Sequence, residues 1–384
     1  MPVPSVPSRA APRVGFVLER SLGHITHADN LSKLLPGQQL IDAEVIEIEW
    51  DTSGFARRVP VFTTNWTVRS GIRTRAAIRR LRRAAQLDAL FIHTQVPAVL
   101  SPDHLRRIPT VVSLDATPLQ YDELGAHYGH TRDHPSVERL KWQANRLCFR
   151  RSRHIVTWSA WAKQGVVHGY GIEAAKISVV PPGVDTSRWR ADRVLAAADA
   201  PVRILFVGGD LARKGGDVLL EAFQDLRAAL DPSAEDTDRI ELHVVTKADV
   251  TPARGVTVHR DLGPNSAELV SLYHRSDIFC LPTRGDCLPM VLSEAGAAGL
   301  PLVSTAVAGI PEIVHDGVTG LVVPPDDRAA LVGALRTLVE DPELRIRMGI
   351  AAQNAVSRDF DAAKNVERLA ALLSRVATGD EVMA

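Results

Sequence analysis

The feature that most constrains this chain is a rhythm in its apolar residues. Short apolar runs at 13–18 (RVGFVL), 89–93, 110–114, 154–157 and 177–180 alternate with segments of helical periodicity such as 76–85 and 136–150. Strands that alternate with helices assemble into a parallel α/β sheet. Turn residues interrupt the rhythm at Pro181-Pro182-Gly183-Val184-Asp185, a candidate interdomain linker. Beyond it the rhythm restarts, with strands expected at 203–207, 241–245, 278–281, 301–304 and 320–323 and helices at 216–230, 266–275 and 289–298. The fold class that follows is α/β, with two tandem Rossmann-like parallel-sheet domains.

The expected division is a disordered Pro-rich tail at 1–12, an N-terminal domain at 13–183, a C-terminal domain at 184–360 and a final helical segment at 361–384. Periodicity makes 362–376 a helix without saying where it docks, a return onto the first domain being one destination.

Composition narrows the class further. The 26 glycines and 24 prolines are near average usage, which excludes collagen-like and low-complexity chains. Cys148, Cys280 and Cys287 are far apart and form no CxxC, so neither a disulfide framework nor a cysteine zinc site is expected. No apolar stretch is long enough to span a bilayer, and the N-terminal MPVPSVPSRAAP lacks the basic and apolar regions of a signal peptide, so a cytoplasmic protein is expected. The 45 basic and 45 acidic residues balance overall, yet residues 1–180 carry 24 against 15, a net of +9, leaving −9 for 181–384. The two halves should attract each other and meet different partners.

Two clusters carry chemistry. In Gly208-Gly209-Asp210-Leu211-Ala212-Arg213-Lys214-Gly215-Gly216 a strand ends in a glycine turn and two adjacent cations precede a helix. Gly208 and Gly209 let a ligand approach the backbone, the carboxyl edge of a parallel sheet is where such proteins bind ligands, and Arg213 with Lys214 can clamp a diphosphate. A solvated helix-start loop is the plain alternative. A Walker-type loop is excluded, because no GxxxxGK[ST] occurs. In 283–299 (TRGDCLPMVLSEAGAAG), Pro289 suits a first helical turn, which puts Asp286 and the amides near Leu288 and Met290 at an anion-attracting helix N-terminus. Glu294 lies among apolar and small residues and needs a partner. A ribose diol or a salt bridge would serve, and Asp286 either meets a ligand or caps the helix.

These residues resemble the retaining glycosyltransferases of family four, which have the GT-B fold and include bacterial phosphatidylinositol mannosyltransferases and relatives of sucrose and glycogen synthases. The resemblance rests on Asp286 and Glu294, two acids separated by seven residues, and on 295–303 (AGAAGLPLV), 309–314 (GIPEIV) and 316–320 (DGVTG). The RKG at 213–215 and the PPGVD at 181–185 extend it upstream, so that it is strong over 154–376 and weak in the first domain. It implies two domains facing a cleft, a nucleotide-diphosphate sugar as donor substrate with no cofactor and no metal, and a hydroxyl acceptor (glycan, lipid or small molecule) held mainly by the first domain. By the same resemblance Lys214 and Arg213 bind the donor diphosphate, Asp286 the sugar hydroxyls and Glu294 the ribose hydroxyls. The backbone of Leu288, Pro289 and Met290 faces sugar and phosphates, and the first loop, with Gly23 and His24, approaches the donor. The catalytic set is then Lys214, Arg213 and Asp286. Three departures stand out: Asp286 where the family usually has Glu, Gly209 where it usually has Arg, and Asp115 where it often has a His that touches the sugar. The shorter acid bears on sugar choice, Arg213 is a replacement for the missing cation, and Asp115 is a candidate for sugar or acceptor contact or for capping the next turn.

Residues 52–87 hold nine arginines, from Arg57 to Arg83, and no acid. Ala77, Ile78, Leu81, Ala84 and Ala85 form one apolar face with Trp66 upstream, so the segment suits an anionic membrane or acceptor, or packs as a solvated helix on its domain; nucleic acid is not expected. His24 and His27 have i, i+3 spacing, but no third ligand is placed, so no metal site is expected. Gly169–Ala174 fits G-x-G-x-x-A but follows a helix and precedes a strand, the reverse of a dinucleotide fingerprint, and reads as a helix C-cap. Asp236-Thr237-Asp238 imitates a metal-binding DxD yet sits in an acidic turn. Rival functions are a non-catalytic nucleotide-sugar or membrane-binding protein and a nucleotide-sugar epimerase on the same fold.

Overall fold

A computed structural model describes residues 11–20, 23–49, 65–128, 132–193, 200–230 and 239–382. Its first sheet contains β1 (Arg13–Arg20), β2 (Asp42–Glu49), β3 (Ala89–His93), β4 (Thr110–Leu114), β5 (His154–Thr157) and β6 (Ile177–Val179), in the order β2-β1-β3-β4-β5-β6. The second contains β7 (Val202–Val207), β8 (Ile240–Val245), β9 (Val256–His259), β10 (Ile278–Leu281), β11 (Leu302–Thr305) and β12 (Gly320–Val323), in the order β12-β11-β10-β7-β8-β9. Both sheets are parallel throughout. Every apolar run read as a strand is one. The strands that the reading lacked, β2 and β9, are both sheet edges whose residues are mostly half-exposed, so no continuous apolar run marks them.

The longer helices are α1 (His24–Leu34), α2 (Trp66–Ala84), α3 (Pro135–Arg151), α4 (Ala160–Tyr170), α5 (Gly216–Leu230), α6 (Ala267–Arg275), α7 (Met290–Ala297), α8 (Arg328–Glu340), α9 (Pro342–Asp359) and α10 (Ala362–Thr378). The basic segment is helical from Trp66 rather than from 76, because Asn65 caps it, its Oδ1 accepting from the Val68 amide at 3.1 Å. Gly171 is the left-handed C-cap of α4. Asp236–Asp238, Arg57 and Arg58 lie outside the described residues, as do residues 1–10.

Successive strand residues point to opposite faces, so the first sheet builds two cores. Phe16, Phe91 and Val111 pack with Leu31 of α1 and with Leu369, Leu373 and Val376 of α10. Val17, Ile92 and Val112 pack with Ile78 and Leu81 of α2. The chain thus crosses between domains twice, and the crossings touch: the Val184 amide donates to Phe360 O at 2.9 Å and the Ala362 amide to Val184 O at 3.0 Å. Asn30 Nδ2 donates to Gly183 O at 2.7 Å from the first domain. A Cβ on Gly183 would lie 2.3 Å from the Ala362 nitrogen, so only glycine lets the two passages run side by side.

Gly183→Ala should therefore lower the free energy of unfolding by about 1–3 kcal/mol in a denaturant titration. Gly333→Ala, inside α8 with open space around its Cβ position, should raise it by about 0.5–1 kcal/mol. Equal effects of the two would show that the double crossing is not tightly packed.

Candidate active site

The site is set by topology. In the second sheet β7 lies between β8 and β10, and in the first β1 lies between β2 and β3. At such switch points neighbouring loops diverge and leave a crevice at the carboxyl edge. The loops after β7 (208–215) and β10 (282–289) lie side by side at that edge of the second sheet. On the other sheet, the ends of β1 and β3 bring His24 and His93 together, Nδ1 to Nε2 at 2.9 Å.

The two loops of the second domain are stitched into one unit. The Arg284 amide and Thr283 Oγ1 donate to Arg213 O at 2.9 and 3.1 Å. The Arg284 guanidinium pairs with Asp217 at 2.7 Å and Asp326 at 2.6 Å. Gly215 has φ +73°, and a Cβ there would meet Pro282 O at 2.0 Å, so this turn admits glycine alone. The preceding Lys214 is thereby aimed at Asp286, and Nζ forms an ion pair with Oδ2. Arg213 Nη1 lies 3.9 Å from the same oxygen. Side-chain exposure is only 14% for Lys214 and 13% for Asp286. Burial, with the like charge of Arg213, pulls the Lys214 ammonium down to about 7, and contact with Asp286 works in the opposite direction, holding the proton on.

Gly208 is buried, and its missing side chain makes room for the Lys214 stem. Gly209 is open, with nothing within 4 Å of the place a Cβ would take, so no packing constraint accounts for the absence of an arginine there. Pro289 is the N-cap of α7 and provides no side-chain cap, which leaves that helix end, between buried Leu288 and half-buried Met290, for an anion. Glu294, on α7, is buried and accepts from Tyr273 Oη at 3.1 Å. The salt bridge weighed as its alternative partner is not what holds it: a neutral phenol is, and burial pushes the Glu294 carboxyl up to about 7.

In the first domain Gly23 is the N-cap of α1, and His24 Nε2 lies 3.9 Å from Asp115 Oδ2. His27 stacks edge-on against His93 and Trp158 at 5.1 and 5.0 Å. Burial lowers His27 to about 3 and His93 well below its ordinary value, so both rings are neutral. Among the described residues no group of three or more His, Cys, Asp or Glu side chains could hold a metal ion.

The structure therefore gathers Lys214, Arg213 and Asp286 in one place and His24 and Asp115 in another, and Arg213 Nη1 links the second domain to the first by donating to Tyr128 Oη at 3.3 Å. Glu312 adds a second link. Its carboxylate accepts from the amides of Ala160 and Trp161 at 2.8 and 2.9 Å, capping α4 of the opposite domain. Tyr128, Tyr273, Cys287 and Glu312 were not among the expected functional residues. Cys287 and Glu312 stand inside the motifs that carry the resemblance, whereas nothing in the pattern around Tyr128 or Tyr273 singles them out.

Residues 23–188 match the family model of Glycosyltransferase Family 4, and residues 201–341 match that of Glycosyl transferases group 1. The chain belongs to glycosyltransferase family 4. It is 28% identical over 313 residues to the glycogen synthase of Mycobacterium tuberculosis (strain ATCC 25618 / H37Rv), covering 77% of this chain and 72% of that protein. It is 31% identical over 241 residues to the D-inositol 3-phosphate glycosyltransferase of Corynebacterium efficiens, covering 56% of this chain and 54% of the relative. Among solved structures, sucrose-phosphate synthase from Thermosynechococcus elongatus superposes with a TM-score of 0.68 at 14% identity, covering 96% of this chain and 100% of that one. Anabaena HepE in complex with UDP-glucose gives 0.63 at 15% identity, covering 94% and 98%. The family 4 chain has the GT-B fold expected from its motifs and is a glycosyltransferase.

The raised Glu294 carboxyl has a definite sign in stability. The folded state favours its protonated form, so this side chain withdraws stability as pH rises from the ordinary carboxylate range through about 7. Glu294→Gln should gain on the wild type across that window, by on the order of 3 kcal/mol, and run parallel to it above. A difference that is flat with pH would show that Glu294 is not buried as a carboxylate.

Proposed function

We propose that this glycosyltransferase is retaining and metal-independent, and moves a sugar from a nucleotide-diphosphate sugar to a hydroxyl acceptor. The observation that carries the reading is the meeting of Lys214 and Arg213 on Asp286, in the loop that leads into the uncapped end of α7. A diphosphate entering there takes over the charge of Lys214, and Asp286 is released to accept from the sugar hydroxyls. Positive groups already in place then stabilise the charge that develops on the departing diphosphate. The leaving phosphate receives the acceptor's proton, on the same face as the sugar is delivered. Asp115 and His24 orient sugar or acceptor from the first domain, and Glu294, one oxygen held by Tyr273, offers the other to the ribose hydroxyls. The solved relative bound to UDP-glucose supports a nucleotide sugar as donor.

Purified enzyme should be stabilised in a thermal-shift screen by one class of UDP-, GDP- or ADP-sugar, by about 2.7 kcal/mol at about 100 times the dissociation constant. It should release the nucleoside diphosphate slowly without acceptor. Lys214→Ala should lower that turnover by about 10²–10³-fold, and a chelator should leave it unchanged. Binding without turnover would make the protein a non-catalytic binder, and donor conversion that never frees a nucleoside diphosphate would make it an epimerase.

We further propose a cytoplasmic enzyme that touches an anionic membrane through α2. Arg79, Arg80, Arg82 and Arg83 are exposed there, whereas Arg69 is buried over Trp66 at 5.0 Å and Arg75 is paired with Asp103 at 3.0 Å. Among the described residues of the arginine-rich segment 57–83, the exposed patch is thus confined to the C-terminal part of α2. No described helix is long and apolar enough to cross a membrane. Cosedimentation with anionic vesicles should fall when those four arginines are changed to glutamine, by about 1 kcal/mol for each, and neutral vesicles should bind neither form.

A further inference from the structure

Arg213 is held by groups from both domains. Its Nε donates to Asp210 Oδ2 at 3.2 Å, and its Nη1 donates to Gly285 O at 2.7 Å and to Tyr128 Oη at 3.3 Å. The guanidinium carbon lies 4.5 Å from the centroid of the Tyr128 ring, the spacing of a cation resting on an aromatic face. Asp210 and Gly285 belong to the second domain, whereas Tyr128 ends a short 3-10 turn (Gly125–Tyr128) of the first.

That turn is anchored. The Tyr128 ring packs on Tyr121 at 4.7 Å, and Tyr121 sits on the helix Pro118–Glu123, whose N-terminus is closed by a reciprocal Thr117–Gln120 capping box. Gln120 Nε2 in turn donates to Trp161 O at 2.7 Å. The Cys287 thiol is buried beside this contact, with Tyr128 and Asp115 as its neighbours. Arg213 and Tyr128 thus meet across the domain boundary close to the His24–Asp115 pair of the first domain.

A guanidinium has five N–H donors in a rigid plane. With Nε and Nη1 committed and one face covered by the ring, the Nη2 edge is the part of Arg213 that, among the described residues, bonds no protein group. We propose that Tyr128 is a positioning residue: it lays the Arg213 guanidinium flat and turns its Nη2 edge toward the donor diphosphate only while the two domains are closed. This rests on the reading of the crevice as a diphosphate site. It also accounts for how the chain manages with Gly209, since a cation held from across the cleft occupies the role that a side chain at 209 would fill.

The test compares Tyr128→Phe, which keeps the ring, with Tyr128→Leu, which removes it; both variants are first checked for unchanged melting. With the nucleotide sugar identified by thermal shift, Tyr128→Leu should lower kcat/KM for donor hydrolysis about 10-fold, and Tyr128→Phe about threefold. In a double-mutant cycle Tyr128→Leu should add almost nothing on top of Arg213→Ala. Iodoacetamide labelling of Cys287, mapped by mass spectrometry, reports closure without any donor: Tyr128→Leu should speed it several-fold. Additive losses in the cycle, or a Leu variant that hydrolyses donor as fast as the Phe variant, would overturn the proposal. Should no nucleotide sugar bind the wild type, the donor reading fails instead, and labelling alone decides: an unchanged Cys287 rate in Tyr128→Leu refutes the closure contact.

Discussion

The buried ion pair of Lys214 with Asp286 is the constraint around which the second domain is arranged. Taking two charges out of water costs several kcal/mol per ion unless they meet in good geometry. The contact itself, with Arg213 at 3.9 Å, offsets that penalty only if the loops after β7 and β10 cannot drift apart. The left-handed Gly215 seated on Pro282 and the Arg284 bridge to Asp217 and Asp326 prevent that drift. Asp286 supplies the negative charge that a diphosphate would bring, so a ligand meets positive charge that is already in place and needs little reorganisation.

Closure of the cleft depends on a different kind of contact. The domains share the α10 crossing, which is apolar and permanent, since its leucines complete the first sheet's core. Their facing surfaces meet through Trp158, which joins the second domain's apolar core, and through polar links: Glu312 on the α4 amides, Arg213 on Tyr128, and Lys33 with Asp185 at 3.2 Å. Polar links can be exchanged for water at modest cost, whereas an apolar core cannot be opened that way. If the cleft opens as proposed, the crossing at Gly183 and Ala362 is what would stay joined, and the polar links are what would be broken and remade. The opposite net charges of the halves act in the same direction over longer range.

How far the site could be read before folding differs by residue. Lys214, Arg213, Asp286 and Glu294 were legible because their motifs join a strand end to a helix start, where parallel sheets bind ligands. Their partners were not. Tyr273 meets Glu294 from α6, and Tyr128 meets Arg213 across 85 positions of sequence, by contacts that no local spacing encodes. The same limit explains the strands. Runs such as LFIH and IFCL are buried on both faces and announce themselves, whereas DAEVIEIE and VTVH lie at sheet edges, where half-exposure leaves mixed polarity.

The sequence alone determined the alternation of strands and helices, the family and the acids and cations of the second domain, because each depends on periodicity or a contiguous motif. Only the tertiary structure decided that α10 returns to the first sheet, that a phenol rather than a cation holds Glu294, and that Tyr128 and Glu312 join the two domains. Those facts concern which distant segments share a surface, and burial of apolar area and pairing of polar groups across that surface settle it once the whole chain is folded.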